Sequence, residues 1–265
     1  MANIIGQPKI VNFIENATLA TLPKALMLIG PNGSGRHLIA STLSDKLGCE
    51  LIEITEKVEA LDLIDYSQMA AQIIFVIDLA NFTERQQNQL LKFIEEPSDN
   101  AHVLVLAESE VGILPTILNR CQKIKLETYT KESIIEITHT MLRDDLIFEL
   151  INAPGQIKNI SESIIANLKD LCSKIITNVQ RASYANTLSI SRKLNYTEDY
   201  DKPDYNLFMN MLENLAFKDY VSNNTEQSFK IYTLTNEYRQ RLVNNNLNKE
   251  YFIVSFLTAL WEATR

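Results

Sequence analysis

The sequence predicts an α/β domain built on a mostly parallel sheet, followed by an all-α region. Over the first 126 residues, short apolar runs alternate with helical patterns, which is the order expected of a parallel sheet covered by helices. From about residue 130 onward the strand signal fades and the pattern becomes helical. Glycine is also scarce there, since Gly155 is the sole glycine after Gly112.

Four strands are predicted from apolar runs that end in turn-forming or charged residues. Three of these runs, at residues 25–29, 72–78 and 102–107, are apolar throughout or nearly so, which is typical of strands buried on both faces. The fourth, at residues 123–126, alternates lysine with apolar residues. We expect it to lie at an edge of the sheet, where one side of a strand meets solvent.

Two helices between these strands have clear boundaries in the sequence. Residues 36–47 place apolar side chains at four-residue steps and stop before Gly48, as expected of an amphipathic helix with a C-terminal glycine. A second helix begins at Thr83, which forms a capping box with Gln86, and it ends before Pro97.

Composition restricts the kind of protein and its environment. With 46% hydrophobic and 22% charged residues in 265, the chain can form a globular protein with more than one core. It contains no run of 18 apolar residues and no basic segment followed by an apolar one, so we expect a cytoplasmic protein without membrane contact. The three cysteines and three histidines are scattered, which predicts reduced thiols and no metal site. We expect no cofactor either.

The net charge of −8 is concentrated in the N-terminal part of the chain. Residues 1–166 carry 13 Lys and Arg against 22 Asp and Glu, whereas residues 167–265 carry 12 against 11. Because affinity for nucleic acid grows with the number of cationic contacts to phosphate, we expect this chain to contact DNA only weakly or indirectly.

A degenerate phosphate-binding loop follows the first predicted strand. The octapeptide G-P-N-G-S-G-R-H starts at Gly30 and, with Gly33 and Gly35, has the length and glycine placement of G-x-x-x-x-G-K-[ST]. Arg36 stands where lysine contacts phosphate, and His37 stands where a hydroxyl holds Mg²⁺, for which imidazole is a poor ligand. The pattern favours a turn retained without a ligand, although the loop could still hold an anion at the helix N-terminus.

The end of the second apolar run has also lost an expected group. Asp78 ends the run, and Leu79 occupies the place where active ATPases carry the carboxylate that orients water. Leucine cannot polarise a water molecule. Asp78 alone could contact Mg²⁺, but opposite His37 we interpret it as a strand-end carboxylate with local hydrogen-bond partners.

Two long segments resemble those of clamp-loader subunits, which are AAA+ proteins. N-Q-L-L-K-F-I-E-E-P at residues 88–97 resembles their N-x-L-L-K-x-L-E-E-P, and I-L-P-T-I-L-N-R-C-Q at residues 113–122 resembles their L-L-P-T-I-x-S-R-C-Q. Residues 4–7 and 22–25 are similar to the opening segments of that family. The resemblance covers about residues 1–160, and the remaining chain agrees in length and helicity only.

The resemblance implies an AAA+ α/β domain with a P-loop-like parallel sheet at residues 1–128, a small helical lid at 129–166 and an all-α collar at 167–265. The collar of this family joins subunits into a ring of five. The implied partners are the ATPase subunit and a delta-type subunit, with the sliding clamp within the complex. In the family's S-R-C segment the arginine points at the ATP of a neighbouring subunit, and Arg120 matches that position. The alternative is that Arg120 merely pairs with a nearby carboxylate.

Five positions depart from the active members of the family. Besides Arg36, His37 and Leu79, Ala107 replaces a strand-end threonine that senses nucleotide, and Gln156 replaces a lid arginine. The resemblance therefore implies a non-catalytic subunit, which belongs to a DNA-directed DNA polymerase only through its complex. Two alternatives stay open, an active AAA+ ATPase with an unusual loop and a helical scaffold unrelated to replication.

A further departure concerns zinc. Family members commonly carry a four-cysteine zinc module between the phosphate loop and the strand that ends in aspartate. Here Cys49 is the single cysteine between Gly35 and Asp78, so the module is absent.

Overall fold

The computed structural model describes residues 4–54, 71–140, 142, 145–180, 185, 189, 205–244 and 249–265. It divides into two compact units, one formed by Met1–Met141 with Asn152–Asn159 and the other by Leu142–Ile151 with Ile160–Arg265. The first unit is α/β and the second is helical, which confirms the predicted fold class. The predicted division into three segments stays a prediction.

Within the described residues, five parallel strands form one sheet in the order β2-β3-β4-β1-β5. They are β1 (Ala25–Ile29), β2 (Glu50–Ile54), β3 (Ile73–Asp78), β4 (Ala101–Ala107) and β5 (Gln122–Lys125). The four predicted strands are confirmed within one residue at their ends, and β5 lies at an edge as expected. The strand at the other edge, β2, was not predicted.

The helices of the first unit are α1 (Pro8–Asn16), α2 (Arg36–Leu47), α3 (Glu84–Glu95), α4 (Pro115–Arg120) and α5 (Lys131–Thr138), with 3-10 turns at Leu79–Asn81 and Pro154–Asn159. The predicted ends of α2 and α3 are confirmed. Gly48 ends α2 in the left-handed conformation, with a φ of 67°. At the start of α3, the Gln86 amide donates to the Thr83 hydroxyl and the Thr83 amide donates to the Gln86 side chain.

The sheet has a hydrophobic core on each face because successive strand side chains point to opposite sides. The core that β1, β3 and β4 form with α3 and α4 includes Met27, Phe75, Val103, Leu90, Ile94 and Ile117. The core that the same strands form with α1 and α2 includes Leu26, Ile74, Leu104, Ile10, Ile14, Ile39 and Leu43. Since both faces are covered, the loops at the two ends of the strands remain for binding.

The second unit consists of α6 (Asp145–Leu150), α7 (Glu162–Gln180), α8 (Tyr205–Asn223), α9 (Glu226–Asn244) and α10 (Lys249–Ala263). Helix α8 packs against α6, α7 and α9, and its buried face includes Phe208, Met209, Met211 and Leu212. Residues 195–205, rich in Asp, Tyr and Asn with Pro203, have the composition of a loop between helices. They lie outside the described residues, except that Tyr205 begins α8. Among the described helices, none is both long enough and apolar enough to cross a membrane.

Candidate functional site

The degenerate phosphate loop connects β1 to α2, as the sequence predicts. Gly30 directly follows β1, and its amide donates to the carbonyl of Ala107 at 3.0 Å. Gly33 and Gly35 have φ angles of 81° and 83°, a backbone conformation that glycine adopts without strain. Helix α2 begins at Arg36. The backbone therefore has the strand, loop and helix order of a phosphate-binding loop, although the side chains at its end differ from those that contact phosphate and Mg²⁺.

The Arg36 side chain is directed to the loop's own backbone. Arg36 is 6% exposed, and its Nη1 donates a hydrogen bond to the carbonyl of Gly30, the first residue of the loop. A lysine at this position would extend a compact ammonium to the phosphates, whereas the guanidinium is a broad planar group with different reach. The guanidinium at position 36 is thus already hydrogen-bonded to the loop backbone.

His37 lies between two carboxylates. Its Nδ1 is 3.1 Å from Oε1 of Glu53, and its Nε2 is 3.4 Å from Oδ2 of Asp78. The other oxygen of Asp78 accepts a hydrogen bond from the amide of Ala80 at 3.1 Å. A protonated imidazole can donate to both carboxylates and a neutral one to a single carboxylate. The imidazole therefore stands beside Asp78 where the motif would place a hydroxyl ligand of Mg²⁺.

The segment after α6 that returns to the first unit packs directly on this loop. The amide of Gly155 donates to the carbonyl of Gly33 at 2.9 Å, and Nε2 of Gln156 donates to the carbonyl of Asn32 at 3.2 Å. Gln156 also receives a hydrogen bond from the amide of Asn152 at 3.0 Å. Where the family resemblance implies a lid arginine, this chain has an amide that binds the loop backbone.

A second contact to the loop comes from Tyr129, which lies just before α5. The hydroxyl of Tyr129 donates to the carbonyl of Ser34 at 2.8 Å, and burial raises the pKa of this phenol. Ser34 is 2% exposed, and its own hydroxyl has no hydrogen-bond partner among the described residues. The loop is consequently held by carbonyl contacts on two sides.

Arg120 ends α4 and lies on a different surface. Its Nε pairs with the carboxylate of Glu95, and its Nη1 donates to the carbonyl of Thr116 at 2.9 Å. The side chain is 38% exposed. The contact with Glu95 is the carboxylate pairing that the sequence left open as an alternative. Because an exposed ion pair is weak in water, this contact does not prevent the guanidinium from binding a second anion.

Arg120 and the phosphate loop lie at opposite ends of the sheet. Arg120 lines a surface depression of about 470 Å³ together with Ala25 and Gln122, the first residues of β1 and β5. Gly30, in contrast, follows the last residue of β1. A strand of five residues spans about 16 Å, so Arg120 cannot contact a ligand bound in the loop of its own chain.

Gln87 connects the helix that carries Glu95 to the segment that leads into α4. It is 3% exposed, and its Nε2 donates to the carbonyls of Phe82 and Gly112 at 3.3 and 3.0 Å. Its Oε1 accepts from the amide of Leu114 at 3.0 Å. Sequence reasoning missed Gln87, and it missed Glu53 because β2 was not predicted.

No group of three or more histidine, cysteine or carboxylate side chains in the described ranges could hold a metal ion. The three cysteines are free thiols. The two arginines singled out by the sequence occupy separate positions, Arg36 hydrogen-bonded inside the degenerate loop and Arg120 partly exposed at the opposite end of the sheet.

Comparisons with known proteins show similarity to DNA polymerase III subunits over part of the chain. The family described as DNA polymerase III, delta subunit, matches residues 61–130, which include both segments quoted above. A DNA polymerase III subunit gamma of Buchnera aphidicola (from Acyrthosiphon pisum) is 30% identical over 176 residues, 53% of this chain and 48% of that protein. The subunit delta' of Haemophilus influenzae is 33% identical over 96 residues, 33% of this chain and 29% of that protein.

Other similar proteins carry related names. The subunit tau of Escherichia coli is 24% identical over 207 residues, 65% of this chain and 32% of that protein. A DNA polymerase III gamma subunit-related protein of Thermotoga maritima has a solved structure with a TM-score of 0.49 and 15% identity, over 97% of this chain and 99% of that one. The chain spans about half the length of the curated gamma relatives it matches. The matched family and these curated relatives support a member of the DNA polymerase III clamp-loader family.

Proposed function

We propose that this chain is a non-hydrolysing, delta-prime-type subunit of a bacterial clamp loader. It donates Arg120 to ATP held by a neighbouring ATPase subunit and so supports loading of the sliding clamp on DNA. The observation that carries the proposal is the position of Arg120, partly exposed at the end of the sheet opposite to the chain's own loop. An arginine placed there can act only on a nucleotide bound by another chain.

The contacts of the degenerate loop support the absence of hydrolysis. Arg36 is paired with Gly30, and His37 with the carboxylates of Glu53 and Asp78. Leu79 is 5% exposed and apolar, so it supplies no base for an attacking water. At the positions that contact phosphate, hold Mg²⁺ and activate water in an active ATPase, this chain thus has side chains of unsuitable chemistry or side chains that already make contacts within the chain.

The exposure of Arg120 supports a role in trans. A guanidinium delivered by a neighbour stabilises the charge that builds on a transferred phosphoryl group, and in related phosphoryl-transfer systems this is worth roughly 10³–10⁵ in rate. Glu95 and Arg120 are 34% and 38% exposed in their side chains. Glu95 and Thr116 take donors at Nε and Nη1, so further donors of the guanidinium remain for the more highly charged triphosphate.

We further propose that the helical unit carries the assembly surface. Its described residues expose large apolar side chains on α8 and α9, including Phe217, Val221 and Phe229, which are 47%, 63% and 48% exposed. Apolar side chains of this size at the surface are typical of protein interfaces. The proposed partners are the ATPase subunit and a delta-type subunit, whereas DNA is contacted weakly or through them.

The proposal is tested by rebuilding the complex with the ATPase subunits of the same cell and replacing Arg120→Ala. We expect slower ATP turnover in rings that assemble normally by size-exclusion chromatography. The total turnover of the ring falls by a smaller fraction than the turnover at the affected site, because the other sites do not use Arg120. The matched control is Arg85→Ala, an exposed arginine of α3. Intact rings with unchanged turnover would exclude the proposed role.

A second measurement addresses the alternative of an active ATPase. We expect calorimetry of the isolated chain to give no binding heat with ATP and magnesium, because the position of the Mg²⁺ ligand is taken by an imidazole. Tight binding followed by hydrolysis in the isolated chain would establish that alternative instead.

A further inference from the structure

We infer that Glu95 is a positioning residue for Arg120. Its carboxylate binds the Nε side of the guanidinium and thereby presents the opposite edge of that group to a phosphate of the neighbouring subunit. The inference rests on the proposed function of Arg120, and it assigns a role to the E-E-P end of the segment at residues 88–97.

The contacts of the guanidinium show which of its edges is engaged. An arginine carries five N–H donors in a planar fork. Glu95 takes the donor at Nε, and the carbonyl of Thr116 takes one at Nη1. In the part of the chain that the structure describes, these are the contacts that hold the group. One donor on Nη1 and two on Nη2 therefore remain for a partner, and a bidentate contact with phosphate oxygens can use one donor from each of these nitrogens.

Both contacts come from ordered helices of the same unit. Glu95 is the last residue of α3, whose preceding residue Ile94 is 1% exposed in the core. Thr116 lies one turn before Arg120 in α4. Gln87 links α3 to the amide of Leu114, immediately before α4. The distance between Glu95 and Arg120 is thus fixed by packing and not by the ion pair alone.

A positioned arginine is more effective than a mobile one for a physical reason. An unrestrained arginine has several rotatable bonds, and it must lose that freedom each time it meets the transition state. A carboxylate bound at Nε restricts these rotations beforehand, as outer contacts do for catalytic groups in general. The positive charge is delocalised over the guanidinium, so the distal edge stays cationic.

The test uses the reconstituted complex with Glu95→Gln, which keeps the size of the side chain and removes its charge. The quantity measured is the Arg120-dependent turnover, defined as the difference between wild-type and Arg120→Ala rings. We expect it to fall about tenfold, within the range typical when an outer contact of a catalytic group is lost. The KM for ATP is expected to stay the same, because the neighbour's own loop binds the nucleotide.

Three comparisons separate positioning from other effects. Glu84→Gln, at the other end of the same helix, removes the same charge and should leave turnover unchanged. In an Arg120→Ala background, Glu95→Gln should slow turnover no further. Glu95→Asp keeps the charge on a shorter side chain, so its rate should lie between those of wild type and Glu95→Gln. This variant also preserves the test if the glutamine variant fails to assemble.

The outcomes distinguish the inference from the proposed function. If Arg120→Ala slows turnover and Glu95→Gln does not, the positioning role of Glu95 is overturned and the role of Arg120 stands. The positioning role is likewise overturned if Glu95→Gln slows rings that already lack Arg120, or if only the KM rises. If Arg120→Ala has no effect in intact rings, the proposed function fails and the inference fails with it.

Discussion

Gly33 and Gly155 are in direct backbone contact. The amide of Gly155 donates to the carbonyl of Gly33 at 2.9 Å, and a Cβ added to Gly155 would lie 2.6 Å from the α-carbon of Gly33. Conversely, a Cβ on Gly33 would lie 2.9 Å from the α-carbon of Gly155. Such approaches exclude any side chain, so both glycines are needed to seat the 3-10 turn on the phosphate loop.

This contact predicts that Gly33→Ala destabilises the first unit more than Gly112→Ala does. The two glycines have φ angles of 81° and 80°, so alanine at either position suffers the same left-handed strain of about 1–2 kcal/mol. Gly112 has open space around its α-carbon, whereas Gly33 adds a clash expected to cost about 1–3 kcal/mol more. Urea unfolding followed by circular dichroism measures the difference. Equal losses at the two positions would show that the contact with Gly155 is dispensable.

The burial of His102 predicts a pH dependence of stability. His102 is 4% exposed, its Nδ1 lies 3.0 Å from the carbonyl of Pro23, and burial lowers the pKa of its imidazole below the usual value. The unfolded chain therefore binds a proton more readily than the folded one. This stabilising contribution is present above about pH 6.5 and is lost as the pH falls from there toward the lowered pKa.

We expect His102→Gln to reduce this loss. Between about pH 7 and pH 5, the unfolding free energy of the variant should fall less steeply than that of the wild type, by at most about 1.4 kcal/mol per pH unit for one proton. The measurement is urea unfolding at several pH values, with His139→Asn as the exposed-histidine control. A variant that loses stability as steeply as the wild type would contradict the assignment.

Thiol labelling offers a third prediction. Cys121 is 8% exposed, and burial raises its pKa to about 11, while Cys172 is fully buried and its pKa is also raised. Cys49 is only partly buried, and burial raises the pKa of its thiol as well. Since the thiolate is the reactive form, iodoacetamide at about pH 8 should label Cys49 first.

Mass spectrometry of the labelled peptides gives the order of the three reactions. In concentrated urea the three thiols should react at similar rates, because the differences arise from burial in the folded chain. Labelling of Cys121 ahead of Cys49 in the folded protein would be inconsistent with this structure.

The assembly surface can be tested on α8. Val221 is 63% exposed, so Val221→Asp should change the unfolding temperature of the isolated chain little, while it places a charge in the proposed interface. We expect at least about tenfold weaker assembly with the partner subunits, equivalent to about 1.4 kcal/mol. Val111→Asp alters an apolar side chain that is 62% exposed in the other unit and serves as the control. Equal effects of the two substitutions would remove the reason for assigning assembly to the helical unit.

Much of the first unit was predictable because its signals are local. The strands β1, β3 and β4 are apolar runs buried on both faces, and the ends of α2 and α3 follow from Gly48 and from the capping box of Thr83. Strand β2 was missed for a local reason too. In E-L-I-E-I the two glutamates are three residues apart, a spacing that fits a helix as well as an edge strand.

The partners of the charged groups were not predictable in the same way. Glu53 meets His37 across 16 positions of the chain, and Glu95 meets Arg120 across 25. Such pairs depend on which strands are neighbours and on how two helices pack against one sheet. A sequence specifies the residue types but not these distances.

By itself, the sequence determined the α/β class and the degenerate loop, because periodicity and glycine placement are properties of adjacent residues, and its resemblance to clamp-loader subunits marked Arg120 as a candidate. The tertiary structure alone decided that Arg120 and the loop lie at opposite ends of β1 and that Glu95 binds the arginine. The physical reason is that a parallel sheet separates its two strand ends by the length of the strand, and this separation exists only once the strands are paired.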